Sequence, residues 1–131
     1  MIMISDLTVW FVVLCVVWIL FWQLSVIAIR RRDKISFGDG GNRLLLKRSR
    51  VHMNSVETLM PFGLLLVVVD LSTDALLVAW IAVGMMIVGR ALHPFGVLDG
   101  RRFLILRMIG MQLTILSTVV LAGFAVWVLL G

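Results

Sequence analysis

Tyrosine is absent from this 131-residue chain, and cysteine occurs once. Without tyrosine, any chemistry that depends on a phenol group is excluded. The single cysteine, Cys15, excludes an intrachain disulfide bond, and its place in an apolar run is typical of a small buried hydrophobic side chain. His52 and His93 belong to different segments, far from Cys15, so no spacing indicates a metal site.

Charged residues are also scarce, at 15% of the chain, whereas 62% of the residues are hydrophobic and the mean hydropathy is +1.13. A soluble domain of this length could not bury so much apolar surface, so the sequence predicts a protein whose solvent is lipid. The net charge of +5 comes from twelve Lys and Arg against seven Asp and Glu. Because the basic residues cluster between hydrophobic segments, they indicate topology and an anion site, and they argue against nucleic acid as a partner.

Apolar segments joined by short polar connections predict an all-α integral membrane protein, a four-helix bundle in one domain of residues 1–131. The predicted helices cover residues 7–29, 44–69, 75–95 and 103–130. The first is long enough to cross a hydrocarbon core of about 30 Å. Positive charges follow it instead of preceding it, so we expect a retained helix and not a cleaved signal peptide. Candidate points of close helix approach are Gly84, Gly89, Gly110 and Gly123.

Basic residues in two of the connections predict the orientation in the membrane. They are Arg30, Arg31, Arg32 and Lys34 after the first helix, and Arg101 and Arg102 after the third. By the positive-inside rule, the first and third connections are cytoplasmic and both termini lie outside the cytoplasm. Residues 36–42 contain three glycines but lack the Lys-Ser/Thr ending of a P-loop, so they are interpreted as a connector.

A polar stripe runs along the first half of the second predicted helix. Its members, which follow one another at steps of three and four residues, are Lys47, Arg50, Asn54, Glu57 and Pro61. On a helix that turns about 100° per residue, this spacing confines them to an arc of roughly 80°. Each centrally placed charge costs roughly 2.5–3.5 kcal/mol to insert into a membrane, which favours a functional role. The alternative is that Arg50 and Glu57 only pair with neighbouring helices and hold the bundle together.

Further candidates lie at the same membrane depth on the other helices. Arg90 and His93 are near the end of the third helix, and Arg107 is one turn into the fourth. The alternative for Arg90 and His93 is that they snorkel to the membrane interface. His52 lies about 180° from the stripe and is predicted to contact another helix or subunit. A weakly polar face of the fourth helix, predicted to contact protein, contains Arg107, Thr114, Ser117 and Thr118.

These side chains suit a small polar ligand with a net negative charge. Cations pair with its carboxylates, Glu57 with an ammonium group, and Asn54 with an amide or backbone group. If the ligand carries a thiol, whose free pKa is about 8.5, a nearby cation favours the nucleophilic thiolate. Arg107 is the candidate for that role. No arrangement supports a Ser-His-Asp hydrolase.

Two motifs resemble those of the MAPEG family, the membrane-associated proteins of eicosanoid and glutathione metabolism. Residues 50–58 read Arg-Val-His-Met-Asn-Ser-Val-Glu-Thr and are followed by Pro61-Phe62, which resembles the family's second-helix signature Arg-x-x-x-Asn-x-x-Glu. Residues 89–93, Gly-Arg-Ala-Leu-His, resemble its third-helix Arg-x-x-His. Residues 38–41, Gly-Asp-Gly-Gly, are similar to those of its small bacterial members. The resemblance spans nearly the whole chain.

The resemblance implies a homotrimer with glutathione sites between adjacent subunits, opening towards the cytoplasm. The residues that it implies for glutathione binding are Arg30, Arg50, Asn54, Glu57, Arg90 and His93. It implies that Arg107 stabilises the thiolate. Many members have a tyrosine one turn after the third-helix histidine, where this chain has Val97, and Thr58 occupies a position that is aromatic in some relatives. Binding survives such changes more easily than rapid catalysis does.

The predicted function is that of a membrane-bound glutathione transferase, with peroxidase activity as a variant, acting on lipophilic electrophiles that arrive through the bilayer. The alternative is a non-catalytic glutathione-binding or scaffold protein on the same trimer, which the missing tyrosine favours. A small anion channel or transporter, the third hypothesis, rests only on basic residues at bundle depth. The expected location is multi-pass in a bacterial inner membrane.

Overall fold

The computed structural model describes residues 4–99 and 103–131, and over these ranges the chain folds into four long helices. They are α1 (Asp6–Asp33), α2 (Arg43–Ser72), α3 (Leu77–Leu98) and α4 (Leu104–Leu130). Each is long and apolar enough to cross a membrane, which confirms the predicted all-α class and its candidate spans. Arg101 and Arg102, on which the predicted orientation of the third connection rests, lie outside the described residues.

Polar residues extend α1 beyond the apolar segment that predicted it. The helix ends at Asp33 and not at residue 29, and Arg30, Arg31 and Arg32 lie in its last turn. Cations are favourable there because they face the negative end of the helix dipole. Lys34 then adopts a left-handed conformation, with φ of 53°, and its backbone N–H donates to the Arg30 carbonyl. Hydropathy alone ends the helix too early.

The connection to α2 depends on glycine and on a side-chain cap. Gly38, Gly40 and Gly41 have φ values of 63°, 56° and 76°, which residues with a Cβ rarely adopt. The Asn42 Oδ1 atom then accepts hydrogen bonds of 3.0 Å from the first backbone N–H groups of α2, those of Leu44 and Leu45. This is the usual role of asparagine at a helix N-cap.

Both prolines lie inside helices, Pro61 in α2 and Pro94 in α3. The sequence predicts that α3 ends at residue 95, but the helix continues to Leu98. Lys47 Nζ donates a hydrogen bond of 2.6 Å to the Leu98 carbonyl, so a carbonyl that the helix end leaves free has a partner. Val97 is therefore helical and shares a face with His93, one turn earlier.

The central helix of the bundle is α2, which packs against α1, α3 and α4, while α3 and α4 pack most closely together. In the described part of the chain, three hydrogen bonds join the antiparallel pair α1 and α2 with their N-cap residues. Ser5 N–H donates to Asp70 Oδ2 at 2.8 Å, Trp18 Nε1 to Ser55 Oγ at 3.2 Å, and Asn42 Nδ2 to Asp33 Oδ2 at 2.6 Å. A cluster of buried apolar side chains packs between the helices, and the outward faces expose large apolar side chains, as a lipid-facing surface requires.

Glycines allow the close approach of α3 to α4. A Cβ on Gly89 would lie 2.8 Å from the Gly110 carbonyl oxygen, and one on Gly110 would lie 2.7 Å from that of Gly89. The prediction for these two glycines is confirmed. It was wrong for Gly84 and Gly123, which face open space, and it missed Gly96, which lies against the start of α4.

Candidate functional site

A cleft at one end of the bundle collects most of the predicted site residues. This basic end is where residues 34–42 join α1 to α2 and where α3 leads towards α4. The cleft, of about 320 Å³, is lined by Arg50, Met53, Asn54, Glu57, His93, Val97 and Arg107. Three members of the stripe predicted on α2, Arg50, Asn54 and Glu57, form one wall, and α3 and α4 provide the remainder. Pro61, also predicted in the stripe, does not line this cleft. Helical periodicity therefore suffices to bring the α2 side chains together.

An adjoining cleft of about 370 Å³ shares Arg50, Val97 and Arg107 with the first. Its other lining residues are Leu46, Lys47, Gly96 and Leu104. Lys47 thus lies beside the main cleft, with one ammonium proton donated to the Leu98 carbonyl. A lysine ammonium carries further N–H donors, so this bond leaves Lys47 able to contact a ligand.

The unfolding temperature of the Lys47→Met variant is expected to be about 3 °C lower than that of the wild type. Methionine keeps an apolar stem but removes the donor to the Leu98 carbonyl, a loss of about 1 kcal/mol. Circular dichroism of the detergent-solubilised protein during heating measures the change. Arg31→Met is the matched control, since Arg31 is an exposed cation in the last turn of α1. Equal shifts in the two variants would contradict the capping role.

A glycine contact places Arg107 at both clefts. Gly96 on α3 packs directly against the backbone and Cβ of Arg107, and a Cβ on Gly96 would lie 2.7 Å from the Arg107 backbone nitrogen. No side chain therefore separates the end of α3 from the start of α4. The Arg107 side chain is exposed and lines the same cleft as His93 and Val97.

Arg90 lies behind the cleft wall, with only 5% of its surface exposed. Its Nη1 atom donates to Asn54 Oδ1 at 2.6 Å and to Thr58 Oγ1 at 3.2 Å. The Nε and Nη2 atoms donate to Thr114 Oγ1 at 3.1 and 2.7 Å. The guanidinium thus ties α3 to both α2 and α4. The structure does not place Arg90 on the cleft lining but directly against Asn54, which is on it.

Arg30, like Arg90, lines neither cleft of its own chain. Its Nη1 atom donates hydrogen bonds of 3.4 Å to the carbonyls of Ile35 and Ser36 in the following connection. The helix that carries it, α1, packs against α2. Within one chain, Arg30 therefore stabilises the connection between α1 and α2 and does not line the cleft.

The site has an excess of positive charge. Arg50 and Arg107 line the main cleft and Arg90 lies behind it, whereas Glu57 is the acidic side chain of the lining. Within the described ranges, none of these arginines forms an ion pair. Near a low-dielectric interior, unpaired cations attract an anion more strongly than they would in water. The arrangement favours a ligand with more negative than positive groups.

Sequence reasoning missed Met53 in the cleft lining and the partner of Thr114. Met53 lies three residues after Arg50 and four before Glu57, so it shares their helix face, but its apolar side chain gave no signal. The polar face of α4 predicts that Thr114 contacts protein, and its burial, with 3% exposed, confirms this. Its partner Arg90 is on another helix, which no local pattern indicates. His52 lines neither cleft.

The four apolar spans of the described residues, with a basic cleft at one end, define a helical membrane protein. The model of the MAPEG family matches residues 8–127, nearly the whole chain. The chain belongs to the MAPEG family, which confirms the resemblance of its second- and third-helix motifs. No curated protein and no solved structure matched the chain. Family membership supports a membrane function of the glutathione-related transferase or peroxidase type in general.

Proposed function

We propose that this protein is a membrane-bound glutathione transferase. It binds glutathione in the cleft at the basic end and holds its sulfur as the thiolate for attack on a lipophilic electrophile. The observation that carries the proposal is the combination of unpaired arginines with one carboxylate and one amide in a single cleft. Glutathione is complementary to it, since it has two carboxylates, one ammonium group, peptide groups and an ionisable thiol.

Each polar group of glutathione has a partner in this proposal. Arg50 pairs with a carboxylate, Glu57 with the ammonium group, and Asn54 bonds a polar oxygen or nitrogen. Lys47 lines the adjoining cleft and His93 the main cleft, and in this proposal they bind the remaining carboxylate and peptide groups. Arg107 stabilises the thiolate: a free thiol with a pKa of about 8.5 is mostly protonated at neutral pH, and a cation increases the ionised fraction.

The proposed chemistry has two variants. In transfer, the thiolate sulfur forms a bond to an electrophilic carbon, and the leaving group departs with the electron pair of the broken bond. In the peroxidase variant, the thiolate sulfur bonds to the terminal oxygen of a lipid hydroperoxide while the O–O bond breaks. This gives the sulfenic acid of glutathione and the lipid alkoxide, which takes up a proton. A second glutathione then completes the reduction, giving the alcohol, water and glutathione disulfide.

An apolar groove beside α1 supports a lipophilic co-substrate. The groove is about 100 Å³, and its lining consists of Phe11, Leu14, Cys15, Trp18, Leu59, Ile87, Arg90 and Ala91. Arg90 is in contact with Asn54 of the main cleft, so the two sites lie on either side of one hydrogen bond. A compound that enters from the bilayer has a short path to bound glutathione.

We further propose that the active form is a homotrimer in a bacterial inner membrane, with the basic end towards the cytoplasm. Family members are generally trimeric, and Arg30 remains outside the cleft of its own chain. In the trimer, Arg30 of an adjacent subunit completes the cleft. The mass of the detergent-solubilised particle tests the stoichiometry, and a dimer or monomer that still binds glutathione would contradict it.

The test of the proposed function is a titration of the purified protein with glutathione, followed by calorimetry and by the ultraviolet band of the thiolate. We expect saturable binding, a thiolate band, and conjugation of a standard lipophilic electrophile faster than the uncatalysed reaction. S-methylglutathione is the control ligand: it binds but gives no thiolate band, because its sulfur has no proton. Absence of glutathione binding would overturn the proposal.

The second candidate is a non-catalytic glutathione-binding or scaffold protein on the same fold. The observation that favours it is Val97, an apolar side chain in the cleft where many relatives have a tyrosine. Glutathione that binds without a thiolate band, in wild type and Arg107→Ala alike, would favour this candidate over the transferase.

A further inference from the structure

The hydrogen bond from Arg90 fixes the orientation of the Asn54 amide. An arginine side chain has only N–H donors and no acceptor, so the amide atom 2.6 Å from Arg90 Nη1 is the oxygen Oδ1. The amide nitrogen is then turned away from Arg90, and within residues 4–99 and 103–131 it donates no hydrogen bond. Since Asn54 lines the main cleft, it presents an N–H donor there. Such a donor selects an acceptor oxygen of the ligand.

Arg90 is in turn held by Thr114 on α4. The Thr114 hydroxyl accepts hydrogen bonds from Arg90 Nε and Nη2, at 3.1 and 2.7 Å, and donates one of 2.7 Å to the Gly110 carbonyl. A hydroxyl has one proton and two lone pairs. Because the proton is committed to the carbonyl one turn earlier, both lone pairs are directed at the guanidinium. All hydrogen-bonding capacity of this hydroxyl is used.

The chain Thr114–Arg90–Asn54 crosses α4, α3 and α2, and the glycines make it possible. A Cβ on Gly89 would lie 2.9 Å from Thr114 Oγ1, so only glycine lets the hydroxyl come this close to α3. Without Thr114, two donor groups of a buried guanidinium would lose their acceptor. Buried donors seldom stay unpaired, so the guanidinium would turn towards the other oxygens near it, the Asn54 carbonyl and the Thr58 hydroxyl.

We propose that Thr114 is a positioning residue for glutathione binding. Acting through Arg90, it holds the Asn54 amide with its N–H towards the cleft, where that group bonds a carboxylate or carbonyl oxygen of glutathione. Thr114 itself lines neither cleft. This inference rests on the proposed function, because it concerns affinity for the same ligand.

Calorimetric titration of purified variants with glutathione tests the inference. Thr114→Val keeps the shape of the side chain and removes the hydroxyl, and it is expected to weaken glutathione binding about tenfold. Thr114→Ser restores the hydroxyl and is expected to stay within about twofold of the wild type. Thr118→Val is the matched control: Thr118 lies one turn further along α4, and its hydroxyl donates to the Thr114 carbonyl at 2.9 Å without contacting Arg90.

A double-mutant cycle separates positioning from general destabilisation. In the Asn54→Ala background, Thr114→Val is expected to cause no further loss of affinity, because the group that Thr114 positions is already gone. Full additivity of the two losses would overturn the inference. In kinetic assays of the single variant, the KM for glutathione is expected to rise while kcat stays unchanged.

Asn54→Asp keeps the inference testable even if Thr114→Val does not fold. The aspartate still accepts from Arg90 but turns an acceptor oxygen towards the cleft, so affinity is expected to fall more than tenfold without a lower unfolding temperature. Unchanged affinity would overturn the inference. If the wild type binds glutathione normally and Thr114→Val and Thr118→Val bind it with equal affinity, the positioning role of Thr114 is overturned and the proposed function is not. Absence of binding by the wild type would overturn the proposed function with it.

Discussion

In the Arg107→Ala variant, we expect the thiolate band of bound glutathione to disappear and the conjugation rate at saturating glutathione to fall about a hundredfold. Arg107 lines the cleft and forms no ion pair within the described part of the chain, so its charge is available to the sulfur. A free thiol is mostly protonated at neutral pH, and without the cation little nucleophile remains. Stopped-flow absorbance and a conjugation assay measure the two effects.

Arg50→Ala is the matched control for this experiment, since Arg50 is a second arginine of the same cleft. It is expected to weaken glutathione binding about tenfold or more, because it removes a carboxylate partner, yet to retain the thiolate band at saturation. A band that persists in Arg107→Ala and vanishes in Arg50→Ala would exchange the roles of the two residues. A rate that is unchanged in both variants would contradict cation-assisted catalysis.

Gly96→Ala is expected to destabilise the protein by about 2 kcal/mol and to weaken thiolate formation. The added methyl group would meet backbone atoms at the start of α4, at 2.6 Å from the carbonyl oxygen of the N-cap residue Phe103 and 2.7 Å from the Arg107 nitrogen. Backbone atoms have no rotamer by which to yield, so the start of α4 must shift and carry Arg107 away from the cleft. Thermal unfolding and the thiolate band report the two consequences.

For Gly84→Ala, a substitution on the same helix, we expect the opposite change in stability. A Cβ on Gly84 meets no neighbouring atom within 4 Å, and alanine is favoured over glycine in a helix interior by roughly 0.5–1 kcal/mol. The unfolding temperature of Gly84→Ala is therefore expected to rise while that of Gly96→Ala falls. If both variants changed in the same direction, the close contact of Gly96 with α4 would not be the cause.

The class of fold could be predicted because a membrane helix needs a long apolar segment, and such segments are visible in one dimension. The helix ends were less accessible. The last turn of α1 is made of arginines that the helix dipole stabilises, and the end of α3 past Pro94 is capped by Lys47 from α2. The first effect is electrostatic and the second is tertiary, so hydropathy registers neither.

The candidate site divides in the same way. Arg50, Asn54 and Glu57 lie on one helix, where spacing alone predicts a shared face, and the structure brings them into one cleft. The contacts of Arg90 could not be predicted from spacing. Its depth in the membrane suggested a ligand-binding residue, but its hydrogen bonds to Asn54 and Thr114 depend on how three helices pack together. The position of Arg107 likewise depends on Gly96. The need for glycine there arises from its contact with the start of α4, which the sequence alone does not reveal.

The hydrogen bonds of Arg90 also bear on how the chain enters the membrane during synthesis. Among the described spans, α2 and α3 are the less apolar pair, and each carries polar groups that the other satisfies: the guanidinium on α3, and the Asn54 and Thr58 oxygens on α2. Since α2 is synthesised first, these oxygens lack the Arg90 donor until α3 has been synthesised. Insertion of the two helices as one hairpin would bury donor and acceptors together, and we expect the partition of α2 into lipid to depend on the arrival of α3.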